Sequence, residues 1–422
     1  MGASTGAVLA VLAFAAVVVA SITRPRGFPE WAAALAGAGI VLAFGLVGPM
    51  DAARAVASDW NVLLFFLGMT GMAAVAERSG FFEQAARGAF RVADRSGIRL
   101  LVAVLAIGTA VSAVLSNDAT ALVLTPVVYT LVVGIGLDAL PYVLACTFIA
   151  DAASLLLPVS NPVNILVLDG TGVPLPNYLL AVFPAAVVSA GLTILAFVWF
   201  FRRDVPARLP ARIPVEDQGA IRRVWAGLGL VAVAFVSGGL LGVSLGLVAC
   251  VGFVCLLVLE ATAIGRPYAR PIEGVSWPIL GYVGGMVVLV TALEHQGVVQ
   301  ALVGQALEAV RSSPKLTAVV ASLLAATGSN LVNNVPMTLV MINAINAQHL
   351  TGPAREAAAY GTIVGADLGP NLTPVGSLAT VLWLLILRER GLDVRPIDYL
   401  RFGLLTTPPI LLIATLLVAL PR

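Results

Sequence analysis

Apolar runs of roughly the twenty residues that cross a bilayer as a helix recur along the whole chain, cut by short polar interruptions. They fall at 4–22, 30–48, 60–77, 98–116, 119–136, 140–157, 176–201, 222–240, 243–261, 276–293, 315–331, 335–348, 356–373, 374–387 and 402–420. The pattern predicts an all-α polytopic membrane protein with no soluble domain between the spans.

The interruptions are informative because they repeat. Asn117 and Asp118 lie 216 residues before Asn333 and Asn334, and the same offset carries Asp151 onto Asp367 and Pro158-Val159 onto Pro374-Val375. With a one-residue slip, Trp60, Met69, Glu77 and Gly80 fall on Trp277, Met286, Glu294 and Gly297. The chain reads as an internal duplication: a first repeat over 1–201, a linker over 202–221 and a second repeat over 222–422.

A polar group at membrane depth needs protein or water around it. Ser116-Asn117-Asp118, between two apolar runs, therefore reads as the tip of a re-entrant hairpin, and Asn333-Asn334 as the tip of its copy. Breaks are predicted at Pro158-Val159-Ser160-Asn161-Pro162 and over 369–377, where proline and glycine free backbone groups for coordination. Each repeat then has five transmembrane helices plus one re-entrant hairpin. An odd number of crossings makes the two an inverted-topology pair, with broken helices meeting at the midplane.

Composition agrees. Hydrophobic residues make up 59% of the chain and charged ones 11%, against ~25% charged in soluble domains. The first run lacks a basic leader and aligns with 222–240, so it reads as a retained helix rather than a signal peptide. Cys146, Cys250 and Cys255 offer neither a disulfide framework nor a C-x-x-C site. Residues 81–95 and 298–311 are amphipathic and read as interfacial helices.

Charge orients the topology. On this crossing count, nineteen of the 24 basic residues fall on one face, from Arg24, Arg78 and Arg87 through Arg202, Arg203 and Arg266 to Arg388, Arg390, Arg395 and Arg401. The other face holds Arg54, Arg311, Lys315, Arg355 and Arg422. The positive-inside rule makes the first face cytoplasmic, with the linker, and puts both termini outside an inner membrane.

Paired hairpins and paired broken helices are the architecture of secondary transporters. The candidate site therefore gathers Asn117, Thr120, Ser160, Asn161, Asn333, Asn334, Asn371, Thr373 and Ser377 as substrate-binding residues, with Ser154 and Asn164 nearby. Asp118, Asp151 and Asp367 are the candidates for proton coupling. An intramembrane carboxylate costs about 2.5–3.5 kcal/mol even on the lenient insertion scale, and a buried carboxyl can take and give a proton near neutral pH. Capping a helix is the plainer reading of Asp118 and Asn334. Interfacial solvation accounts for Glu77 and Glu294, and solvated or capping roles for His295 and His349.

No lysine or arginine falls in the predicted core, so the site suits a neutral polyhydroxy solute or a cation rather than an anion. There is no G-x-x-x-x-G-K-[ST] and no D-D-x-x-D cluster, so a transporter is expected and an enzyme is not. No cofactor, no permanent metal site and no nucleic-acid partner are expected.

The stretches 116–126 (Ser116-Asn117-Asp118 to Thr125-Pro126), 333–337 and 365–380 (Gly365-Ala366-Asp367 to Ala379-Thr380) resemble the bacterial ArsB arsenite permeases of the ion transporter superfamily over essentially the whole chain. The last stretch, followed by Leu382-Trp383, is the most specific to that family. The resemblance implies export of trivalent arsenic and antimony as neutral hydroxides (arsenite, antimonite) in exchange for protons, with an ArsA-type ATPase as a cytoplasmic partner. Arsenous acid is an uncharged triol that amides, hydroxyls and carboxyls can ligate by hydrogen bonds. A sodium/proton antiporter, or another cation- or carboxylate-coupled carrier of the superfamily, is the alternative reading.

Overall fold

A computed structural model of the chain describes residues 3–23, 25–94, 96–209, 221–264, 277–374 and 376–420. Expectations for Arg24, Arg95, linker residues 210–220, the loop 265–276 with Arg266, Val375 and Arg422 lie outside the described residues.

The first half contains α1 (Ala3–Thr23), α2 (Glu30–Ala43), α3 (Pro49–Ser58), α4 (Trp60–Arg78), α5 (Phe81–Val92), α6 (Gly97–Val114), α7 (Asn117–Ala119), α8 (Thr125–Gly134), α9 (Leu140–Ala153), α10 (Pro162–Thr171) and α11 (Leu175–Phe201). The second contains α12 (Ile221–Leu240), α13 (Leu245–Ile264), α14 (Trp277–His295), α15 (Gln305–Val310), α16 (Pro314–Val332), α17 (Asn334–Ala347), α18 (Gly352–Leu368), α19 (Leu378–Glu389) and α20 (Pro396–Val418). No strand occurs among the described residues. Among the described residues, eight helical segments are long and apolar enough to cross a membrane, and four shorter apolar helices accompany them. Leu180, Leu195, Trp199, Leu230, Val233, Val251, Leu404 and Leu412 are exposed on α11, α12, α13 and α20, as the lipid-facing surface of a multi-pass membrane protein requires.

Three contacts define one end of the bundle. The Tyr142 hydroxyl donates to the Gly97 carbonyl at 3.5 Å, so α9 starts where α6 starts and α7–α8 run back between them as a hairpin. The Gly97 amide donates to the Pro206 carbonyl at 3.2 Å, which brings the end of α11 to the same place. At the start of α12, Trp225 donates to Gln84 of α5 at 2.6 Å.

The second hairpin follows from helix packing. Gly361, Gly365 and Gly369 meet Ala318, Ser322 and Ala326 at a constant offset, so α16 and α18 are parallel and α17 returns between them. A Cβ on Gly361 or Gly365 would stand 2.3 or 2.2 Å from the carbonyl oxygens of Ala318 and Ser322. This small-residue stripe lets the two backbones touch, as helices do where lipid gives no hydrophobic drive to associate.

The hairpins open at opposite ends. Near the end of α17, Asn346 donates to the Gly170 carbonyl at 3.0 Å, and α10 ends far from Gly97 because it continues the path of α9. Arg355 at the start of α18 donates to the Thr171 carbonyl at 2.7 Å. Conversely, Tyr129 of α8 donates to the Arg390 carbonyl beyond α19 at 3.0 Å. The two interrupted helices, α9–α10 and α18–α19, thus run antiparallel past each other. Arg78, Arg87, Arg91, Arg99, Arg202, Arg203, Arg388, Arg390, Arg395 and Arg401 all lie at the end with Gly97, the basic end; Arg54, Arg311, Lys315 and Arg355 lie at the other.

Some boundaries differ from the sequence reading. The run 30–48 is not one span: Gly45, at φ 66°, stops α2 after Ala43, with the Leu46 amide on the Val41 carbonyl and the Gly45 amide on Leu42, a Schellman closure. Pro49 then opens α3, an amphipathic helix that the hydrophobic runs did not reveal. The break in the first interrupted helix begins at Ser154, four residues before Pro158. The amphipathic helix α5 buries Phe81, Phe82, Ala85, Ala86, Ala89 and Phe90. The turns entering the two amphipathic segments match: Gly80 has φ 75° and its counterpart Gly297 has φ 72°.

Candidate functional site

The hairpin tips are built by local chemistry. Ser116 is extended and accepts the Ala119 amide on its Oγ at 3.1 Å, an N-cap that starts the return arm. Pro126 lacks an amide and disturbs the preceding turn, and the helix widens over Thr120–Leu124 to accommodate it. The opposite tip is tighter. Asn333 sits at φ 78° and ψ 155°, a conformation that costs a non-glycine residue about 1–3 kcal/mol and persists where the surroundings hold it.

Between the tips lies a cavity of about 170 Å³, roughly ten times the ~10–15 Å³ one water needs on the same measure. Asn117, Asp118, Asn161, Asn333, Asn334 and Ser377 line it, all of them expected from the sequence. Glu30, Thr70, Tyr282 and apolar side chains of α4 and α14 complete the wall. Glu30 and Pro278, in the first turns of α2 and α14, carry it to the basic end. Among the described residues, no lysine, arginine or cysteine lines the cavity. Asn333 is 7% exposed, and its Oδ1 has no hydrogen-bond partner among the described residues.

The other predicted residues stand behind this wall. Asn117 connects the layers: its Oδ1 accepts the Asp118 amide at 2.9 Å, and its Nδ2 donates to Asp151 Oδ1 at 3.3 Å. Asp151 is buried, and its Oδ2 has no partner among the described residues. Asp367 is fully buried and crosses between halves, accepting from Ser154 Oγ at 2.6 Å and from Asn161 Nδ2 at 2.8 Å. Asn164 donates to the Ser154 carbonyl at 2.8 Å, fixing the first break.

Four expected ligands are absent from the cavity wall and donate elsewhere, although Asn371 Oδ1 has no partner among the described residues. Thr120 donates to the Ser116 carbonyl at 3.1 Å, Ser160 to Ala113 at 3.2 Å and Asn371 to Phe148 at 3.2 Å. Thr373 donates to Asn330 Oδ1 at 2.6 Å. Asn330 was not singled out in the sequence, yet its Nδ2 reaches both the Ala326 and Gly369 carbonyls at 2.8 Å and anchors the second break. An asparagine inside the apolar run 315–331 was the available signal. Tyr282 and Thr70 gave none, because they look like ordinary core residues of a span.

Cys146 is buried and absent from the cavity wall. Glu294, which the sequence reading left to interfacial solvation, lines a second cavity with Asp59 and Asp169 at the far end.

Residues 9–420 match the family described as arsenical pump membrane protein. An arsenical pump membrane protein of Escherichia coli K12 is 31% identical over 98% of both chains, and one of Yersinia enterocolitica is 31% identical over 96% of this chain and 97% of its own. An uncharacterised transporter of Mycobacterium tuberculosis is 26% identical over 89% of this chain and 90% of its own. The crystal structure of the Alcanivorax borkumensis YdaH transporter, described as having an unusual topology, superposes with a TM-score of 0.56 over 84% of each chain at 16% identity. That likeness speaks for the fold alone.

Proposed function

The chain belongs to the arsenical pump membrane protein family, and from that premise we propose that it exports arsenous acid and its antimony counterpart from the cytoplasm in exchange for protons. The observation that carries this reading is the wall of the first cavity: four asparagines, a serine, a threonine, a tyrosine and two carboxyls, with no basic side chain among the described residues. An oxyanion would meet the carboxyl of Asp118 at this wall. A neutral triol finds donors and acceptors on every side. With no thiol at the wall, the metalloid is held through its hydroxyls and released quickly, where soft thiolates would retain it.

In this reading the halves 1–201 and 222–422 are inverted copies, the linker 202–221 and the basic end face the cytoplasm, and both termini lie outside the inner membrane. Asn117, Asn161, Asn333, Asn334 and Ser377 hold the substrate. Thr120, Ser160, Asn371 and Thr373 position the tips and breaks. Asp118 meets the cavity, Asp151 communicates with it through Asn117, and Asp367 couples the two breaks. An ArsA-type ATPase would dock on the cytoplasmic face. Secondary transport alone suffices energetically: a pH unit supplies about 1.4 kcal/mol and 100 mV about 2.3 kcal/mol, together between two and three decades of concentration ratio.

Arsenite accumulation in everted vesicles tests the reading, with an imposed proton gradient, with and without sodium, and with an uncoupler. Sodium-independent uptake that the uncoupler abolishes supports it. Proton-for-sodium exchange without arsenite uptake assigns the site to a cation antiporter instead.

A further inference from the structure

A second cavity of about 420 Å³ opens at the end opposite the basic one. It shares its helices with the first. Along α10, Asn161 and Pro162 face the first cavity while Leu166 and Asp169 face the second. Along α14 the change falls between Val283 and Val287, and along α17 between Val335 and Leu339. In each helix the two cavities are separated by four residues, about 6 Å of helix axis or one turn. Val163, Ile165, Met286 and Met337 lie in those turns and are buried, together with Asn164 and Thr338, which donate to the Ser154 and Asn334 carbonyls.

Resting on the functional reading above, we propose that the second cavity is the extracytoplasmic mouth of the same pathway: the neutral solute leaves through it and protons enter by it, and a one-turn seal of buried side chains shuts it from the binding cavity.

The rim is held by polar ties. Asn61 of α4 donates to Asp169 at 2.9 Å. Arg355 donates to Asn346 Oδ1 and to the Thr171 carbonyl, each at 2.7 Å, while Asn346 donates to Gly170. These bonds join the end of α10 to α4, α17 and α18 around the opening. Inside, Asp59, Asp169 and Glu294 are the charged lining residues. They do not converge as a metal cage; among the described residues no such group exists. Their effect is a negative field, which a water-filled cleft with low-dielectric walls concentrates. Anions are turned away, protons are drawn in, and a neutral triol passes. Asp59, which precedes the α4 span, supports the assignment: burial and the adjacent Asp169 charge push its carboxyl up to about 6, within reach of an acidic exterior.

Cysteine accessibility tests the proposal. In a chain with Cys146, Cys250 and Cys255 replaced by alanine, Thr291→Cys and Asn343→Cys report on the second cavity and Val283→Cys on the first. Intact cells and everted vesicles are treated with membrane-impermeant cationic and anionic methanethiosulfonates. Thr291→Cys and Asn343→Cys should react in intact cells, the cation faster by about tenfold, and Val283→Cys in everted vesicles. Combining Asp59→Asn, Asp169→Asn and Glu294→Gln should erase the charge preference. Labelling of Thr291→Cys and Asn343→Cys from neither side, or from the cytoplasmic side alone, overturns the proposal. Where the cysteine-free chain folds poorly, the same variants retain buried Cys146. Arsenite efflux from the unlabelled variants is read separately: its absence with outside labelling intact contradicts the functional reading and leaves the access route standing.

Discussion

The Ser154 hydroxyl lies 2.6 Å from Asp367 Oδ2 and 2.7 Å from the carbonyl oxygen of Asp151. One hydrogen cannot satisfy both acceptors. When Asp367 carries a proton it donates to Ser154, which donates in turn to Asp151, and all three groups are satisfied. When Asp367 is ionised, the Ser154 hydroxyl must turn to it, and the Asp151 carbonyl keeps only the Ser154 amide, at 3.3 Å. A change in the proton state of Asp367 would thereby change the bond made by a side chain at the break of the other interrupted helix.

Asp367→Asn keeps a group of the same size but cannot gain or lose a proton. It should abolish proton-driven accumulation while arsenite binding to purified protein persists. Ser154→Ala removes the link and one bond to a charged group, worth about 1.5–3 kcal/mol, so transport should slow by about ten- to a hundredfold. Wild-type rates in both variants would remove this pair from the mechanism.

Asn333 separates substrate affinity from backbone strain. Glycine adopts its φ of 78° without penalty, but removes the Oδ1 at the cavity wall. Asn333→Gly should melt at or above the wild-type temperature and bind arsenous acid about tenfold more weakly, as loss of a bond of about 1.4 kcal/mol requires. Asn333→Val should lower the melting temperature. Thermal melts of detergent-purified protein, paired with binding titrations, check both.

The packing of α16 on α18 gives a structural prediction. Gly365→Val places its Cβ against the Ser322 carbonyl and should lower the melting temperature and yield, whereas Gly39→Ala, with no atom within 4 Å of the new methyl, should be neutral. Equal melting temperatures for the two would contradict the close helix contact.

Asp59 gives the pH dependence. Its carboxyl is raised from 3.8 to about 6, so the folded protein holds that proton more tightly than the unfolded chain. Stability is therefore full below pH 4 for this group and is lost as pH rises toward and through 6. Asp59→Asn should flatten the change in melting temperature between pH 4 and 7. An unchanged slope would mean that Asp59 is not the group responsible.

Much of this was legible in the sequence because membrane depth makes each polar residue costly. The tips at Asn117 and Asn333, the breaks at Asn161 and Asn371 and the sidedness of arginine all follow from that cost. What was not legible is who bonds to whom. Asp367 finds its donors 206 and 213 residues away, a pairing that antiparallel packing of two interrupted helices decides and periodicity does not record. Nothing in the sequence sets Asp59 and Asp169 apart; the start of α4 and the end of α10 bring them to one cavity. The amphipathic helix α3 went unread between two apolar runs, and Gly45 ends α2 by backbone conformation, a signal that hydropathy does not carry.

The most direct test of the central claim uses proteoliposomes loaded with arsenous acid and diluted into arsenic-free, sodium-free buffer, with the membrane potential clamped by potassium and valinomycin. A pH-sensitive dye in the lumen reports proton movement as arsenic leaves. The account predicts luminal acidification that requires the protein, follows arsenite efflux in time and disappears in Asp367→Asn. Arsenite efflux with no change in luminal pH, or efflux that waits for sodium, would contradict it.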